Sequence, residues 1–164
     1  MTELRARFEA LGLTNVATFI ASGNVIFESN VTDTTLLQTQ IENNLQQALG
    51  YRVPTFIRSS KELAAIASYQ PFPSEPHFSS YSLSVMMLAE RMSEDIQDKF
   101  LTFRTPVDEF HIHNREIYWL CRKKITESLV DWKLLGKTMI MPGVTMRNIT
   151  TIRKLAARYG ARND

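Results

Sequence analysis

The segment Val107–Arg122, VDEFHIHNREIYWLCR, decides the fold. Its apolar residues alternate on both sides of Asn114-Arg115, and a two-residue turn there sets Phe110 opposite Trp119 and Ile112 opposite Ile117. Those four side chains then share one face, which Cys121 continues, while Glu109, His111, His113 and Tyr118 share the other. A second hairpin is predicted near the N-terminus, where Phe19–Ser29, FIASGNVIFES, places Ser22-Gly23-Asn24 between two apolar runs. Glycine and asparagine tolerate positive φ, so the turn has a sufficient structural reason. Aligning the hairpins sets Ile20, Val25 and Phe27 against Ile112, Ile117 and Trp119, a matching apolar register.

Working outward, each hairpin is flanked by helices. Leu4, Phe8 and Leu11 recur at helical spacing between Thr2 and Gly12, and Leu37, Ile41, Leu45 and Ala48 line one face of a helix over about Thr34–Leu49. "RVPTFIR" after Gly50 reads as a strand, and Ser59 with Glu62 forms a capping box for a short helix to Tyr69. The segment Gln70–Ser80, with three prolines, holds neither a helix nor a central strand and is expected to be the linker between two halves, residues 1–69 and 81–164. The second half opens with the strand "YSLSVMMLA" and continues with a helix capped by Ser93, the hairpin, a short helix around Leu129–Leu135, and "KTMIMPGVTMRN" leading into a last helix. The expected fold class is therefore α+β, two ferredoxin-like βαββαβ halves with antiparallel sheets, the first lacking its first strand. The outer face of the first hairpin carries Phe19 and Ile26, so it is expected to be covered.

The chain of 164 residues is long enough to bury roughly 70% of its unfolded surface without a metal or disulfide. The single cysteine, Cys121, fits a reducing cytoplasm, and no apolar run reaches the length of a membrane span. Nineteen basic against seventeen acidic side chains leave a net charge of +2, which does not by itself imply nucleic acid. No cofactor is expected, nor a membrane, and the chain is expected to be a monomer or weak homodimer. Its glycines are scattered rather than clustered in a phosphate-binding loop.

"ALGLTNVATFIASGNVIFES" (Ala10–Ser29) and "GVTMRNITTIRKLA" (Gly143–Ala156) resemble the bacterial family termed domain of unknown function 1697. The chain keeps Ser22, Gly23, Asn24, Val25 and Phe27 of its Ser-Gly-Asn-Val hairpin, and Thr145, Arg147, Asn148 and Thr151 of its Thr-x-Arg-Asn-Trp-x-Thr box, with Ile149 in place of the tryptophan. The resemblance implies two ferredoxin-like halves and no particular reaction. The family's N-terminal strand, ending in an Arg-Gly-Ile-Asn-Val-Gly-Gly loop, is missing ahead of Met1. The expectation is a natural chain that starts earlier; the alternatives are a partner that supplies the edge, or an open first half.

Two sets of residues carry candidate chemistry. Thr145, Arg147 and Asn148 precede a helix with the apolar stripe Ile149, Ile152, Leu155 and Tyr159; a helix start presents N–H groups and arginine suits phosphate or carboxylate. With Ser22 and Asn24 they form the expected ligand site, for a small anion, against the plainer reading of a cap and an ion pair. In the second set, Glu109, His111 and His113 would serve an enzyme as acid and base, while an exposed polar strand face is the ordinary alternative and no metal is expected. Lys154, Arg158 and Arg162 lie opposite the apolar stripe of the last helix, six basic residues to one acidic from Lys137 onward, and make nucleic acid the lesser reading. Ser22 and Cys121 are poor candidates for nucleophiles: Ser22 has no histidine nearby in sequence, and Cys121 falls on the apolar face of its strand.

Overall fold

The computed structural model describes residues 2–19, 23–75, 81–139 and 143–160, which form two compact units, Met1–Ile57 and Arg58–Asp164. The division falls before the helix capped by Ser59, not at the proline-rich segment Gln70–Ser80 expected to be the linker. Packing is the reason: Ile66 of that helix is buried with Val85, Met87, Tyr118, Ile149 and Ile152, all of the second unit.

In the first unit α1 (Thr2–Ala10) leads into a hairpin of β1 (Thr14–Phe19) and β2 (Asn24–Glu28), followed by α2 (Thr34–Leu49). Gly23, at φ +72°, supplies the left-handed corner the sequence required. Phe8, Val16, Leu37, Ile41 and Leu45 form the core, with Val25 and Phe27 packed against it. Val25 pairs with Thr18, so Thr18 rather than Ile20 is the counterpart of Ile112, and Ile20 lies outside the described residues. Phe19 and Ile26 are half-buried.

Residues 52–58, expected to be a strand, carry no strand pairing. Val53 and Ile57 still join the core, and the Thr55 N–H donates to Glu42 Oε1 at 2.8 Å. The second unit shows why. There the closing strand bonds only to the opening one, and no described residue of the first unit supplies that opening strand.

The second unit contains α3 (Ser60–Ser68), β3 (Ser82–Leu88), α4 (Glu94–Leu101), β4 (Asp108–His113), β5 (Glu116–Cys121), α5 (Trp132–Thr138), β6 (Val144–Asn148) and α6 (Ile149–Tyr159). Its antiparallel sheet has the order β4-β5-β3-β6, so from β3 to β6 it has the ferredoxin-like βαββαβ layout. Phe110 pairs with Trp119 and Ile112 with Ile117 across a turn in which Asn114 has φ +55°, the register that alternation predicts. One sheet face holds Met86, Leu88, Phe110, Ile117, Trp119 and Cys121 with Phe100 of α4 and Leu135 of α5; the other packs against α3 and α6. The short helix expected around Leu129–Leu135 starts later, because Asp131 accepts from the Leu134 N–H and caps it. A 3₁₀ turn at Ile125–Glu127 precedes it. Among the described residues no helix is long and apolar enough to cross a membrane.

Candidate functional site

Strand alternation on β6 sends Thr145 and Arg147 to the sheet face of α3 and α6, opposite Met87 and Val85, while Val144 and Met146 take the other face, opposite Leu88 and Met86. Arg147 Nη1 donates to Thr145 Oγ1 and to the Met146 carbonyl, both at 2.8 Å, which fixes the guanidinium beside its own strand. Its partial burial lowers the guanidinium pKa, because the cation gives up hydration there. Asn148 closes the strand and caps α6, its Oδ1 accepting from the Thr150 N–H at 2.8 Å. Ile149, Ile152 and Leu155 of α6 are buried, which aims the helix start at the end of β6. An arginine and a hydroxyl thus share one face of the strand that leads into the helix start.

Of the other residues expected in this site, Asn24 belongs to the first unit, where its Nδ2 donates to the Phe19 carbonyl at 3.1 Å and closes its own hairpin. Ser22 lies outside the described residues. Lys154 and Arg158 are exposed on α6 as the sequence predicts, and Arg162 lies outside the described residues.

The face of Glu109, His111, His113 and Tyr118 is partly open: His113 is exposed, Glu109 and His111 are half-buried, and Tyr118 is buried. Tyr69, which ends α3, hydrogen-bonds His111 (Oη to Nε2, 2.8 Å) and stacks on His113 with ring centroids 4.3 Å apart. Tyr118 is buried beneath it, and burial with the Glu116 charge and Tyr69 pushes its phenol pKa up. Glu109 turns instead to Arg104, with Nε–Oε1 at 2.6 Å, and to Arg122. The carboxylate and the two imidazoles therefore do not converge on one point. Among the described residues no three His, Cys, Asp or Glu side chains form a group that would hold a metal. Cys121 is buried and its thiol pKa is raised, first by desolvation, the opposite of what a nucleophile needs.

Burial, the His113 charge and the Arg104 charge together hold the His111 imidazole below its ordinary value of 6.5. The folded state then binds fewer protons at His111 than the unfolded state does, so its contribution is complete above that value and is lost as pH falls below it. His111→Gln is expected to flatten the pH dependence of the urea midpoint between neutrality and pH 5. A midpoint as pH-sensitive as that of the wild type would show that His111 is not the group responsible.

A model of the family described as "Protein of unknown function (DUF1697)" matches residues 1–118. The chain belongs to that family. It is also similar to a solved structure, the conserved bacterial protein SP0830 from Streptococcus pneumoniae, at 20% identity with a TM-score of 0.77, over 97% of this chain and 88% of that one. At such identity the likeness establishes the fold alone. No curated protein matches.

The DUF1697 match covers the Ser-Gly-Asn hairpin and ends within β5, so the β6–α6 junction lies beyond it. Two features of this DUF1697 member escape sequence reasoning. Arg58 and Glu116 form an ion pair with side chains only 5% and 6% exposed, although 58 positions separate them and neither stands in a motif. Trp119, Trp132 and Ile125 line a hollow beside Val144 and Met146. Its only sequence signal is that β6 places apolar residues at alternate positions on a strand that turns out to lie at the sheet edge.

Proposed function

We propose that this DUF1697 member is a binding module for a small anion bearing phosphate or carboxylate, held at Arg147 with Thr145 and the start of α6. The observation that carries this reading is that Arg147, partly buried, shares one sheet face with Thr145, to which its guanidinium donates, on the strand that Asn148 ends by capping α6. The planar, charged guanidinium fork suits the oxygens of phosphate or carboxylate. The helix start adds about 0.3–1 kcal/mol, whereas micromolar binding needs about 8 kcal/mol, so the expected affinity is weaker than micromolar.

Thermal-shift measurements with inorganic phosphate, nucleotides and dicarboxylic acids test the reading. A ligand at a hundred times its Kd stabilises the native state by about 2.7 kcal/mol, a rise of several degrees in melting temperature. Arg147→Ala is expected to abolish the rise, and Arg147→Lys to keep only part of it, because lysine lacks the planar fork. A hit that stabilises Arg147→Ala as strongly as the wild type would remove this site.

A further inference from the structure

Strands β4 and β6 are the two edges of the second sheet, and they are finished differently. On the sheet face that Val144 and Met146 share, the β4 residues Asp108 and Phe110 are buried. On β6, Val144 and Met146 are 41% and 42% exposed, and they border a hollow of about 380 Å³ whose lining includes Trp119, Trp132, Ile125 and Met86. Natural edge strands are usually blunted by charge, proline or a covering element, because an edge offers a row of N–H and C=O groups to any further strand. The exposed side of β6 carries apolar residues instead, and Ile125 and Trp132, exposed by 39% and 37%, extend them into a patch.

We propose that β6 receives an extended segment of a partner protein in which apolar side chains and carboxylates alternate. A strand added to β6 sends successive side chains to opposite faces of the sheet. On the face of Val144 and Met146 they meet the tryptophan-lined hollow, which takes apolar groups. On the other face they meet Thr145 and Arg147, where a carboxylate complements the guanidinium. The chemistry of the partner follows from the two faces of one strand: valine-like or larger apolar residues at one set of positions, aspartate or glutamate at the next. The acidic half of this partner rests on the anion reading of Arg147, and the apolar half does not.

Both tryptophans of the chain line the hollow, so their emission reports its occupancy directly. The probe is a heptapeptide alternating glutamate with valine, compared with one alternating threonine with valine. The glutamate peptide is expected to change the emission saturably and to bind at least tenfold more tightly than the threonine peptide. Met146→Lys is expected to weaken it at least tenfold, with Val144→Lys as the second variant should Met146→Lys fail to show the native circular dichroism. Arg147→Ala is expected to remove the advantage of the glutamate peptide over the threonine peptide.

No emission change with either peptide, while phosphate still raises the melting temperature, would overturn the strand proposal and leave the small-anion reading standing. Equal binding of the two peptides would overturn the acidic partner, and the anion reading falls with it if phosphate also fails to stabilise. An emission change that follows protein concentration alone, with dimerisation in sedimentation that Met146→Lys abolishes, would make the occupant a second copy and overturn the partner proposed here.

Discussion

Replacing Arg58 by methionine is expected to cost the second unit about 3–5 kcal/mol, because it leaves a buried carboxylate without its counter-charge. Arg58 Nε donates to Glu116 Oε1 at 2.7 Å, and Nη2 donates to the carbonyls of Leu88 at 2.8 Å and Arg115 at 3.3 Å. The guanidinium thus joins the residue before the α3 cap to the end of β3 and the start of β5. With arginine gone, Glu116 either keeps its charge in a site that no longer solvates it or takes up a proton, and both outcomes lower stability. The double variant Arg58→Met/Glu116→Leu removes both charges and is expected to recover most of the loss, since apolar replacement of a buried pair is often neutral. Urea unfolding followed by tryptophan emission reads the second unit alone, because both tryptophans lie there. A single variant within about 1 kcal/mol of wild type would show that the pair contributes little.

Asp108→Ala is expected to be comparably severe. The carboxylate is fully buried, with Oδ1 accepting from the Trp119 indole at 2.9 Å and Oδ2 accepting from the Thr105 hydroxyl at 2.7 Å and the Leu129 N–H at 2.9 Å. One side chain therefore holds the turn before β4, the ring opposite Phe110 and the segment leading to α5. Each buried donor left without an acceptor costs about 1–3 kcal/mol, so a loss on the order of 4 kcal/mol and a melting temperature lower by more than about 10 °C are expected. Burial alone would raise the pKa of Asp108, but the bonds from Thr105, Leu129 and Trp119 outweigh it and the pKa is lowered below 3.8. Its stabilisation is then present above that value and lost as pH falls through the lower, folded one. Asp108→Asn, which cannot ionise, is expected to lose less stability at neutral pH and to remove this acid-side dependence. An Asp108→Ala midpoint near that of the wild type would show that water replaces the carboxylate.

Much of the local structure was legible in the residues. Alternation alone placed the β4–β5 register, since a slip by one residue would have turned Phe110, Ile112, Ile117 and Trp119 from the core to the opposite face. The capping box of Ser59 and Glu62 marked the start of α3, and the spacing of Leu37, Ile41 and Leu45 marked the buried face of α2. Of the anion site, the grouping of Thr145, Arg147 and Asn148 was legible because the three lie within one strand and cap, where geometry is local.

The failures have one cause, which is dependence on distant partners. Residues 52–58 have the composition of a strand, but a strand exists only where a neighbour bonds to it, and composition does not name the neighbour. The proline-rich segment looked like a boundary by its residues. The boundary falls earlier because α3 buries Ile66 against β3, β5 and α6, a choice among surfaces that no local pattern encodes. His111 looked exposed, but Tyr69 hydrogen-bonds it and leaves it half-buried, while His113 stays exposed under the stacked ring. By itself, then, the sequence determined the helices, both hairpins, the α+β class and the strand that carries Arg147, all set by interactions within a few residues or across one turn. Only the tertiary structure decided which sheet face is covered, where the units divide, that Arg58 meets Glu116 and that β6 presents apolar residues at an edge, because each depends on packing between segments far apart in the chain.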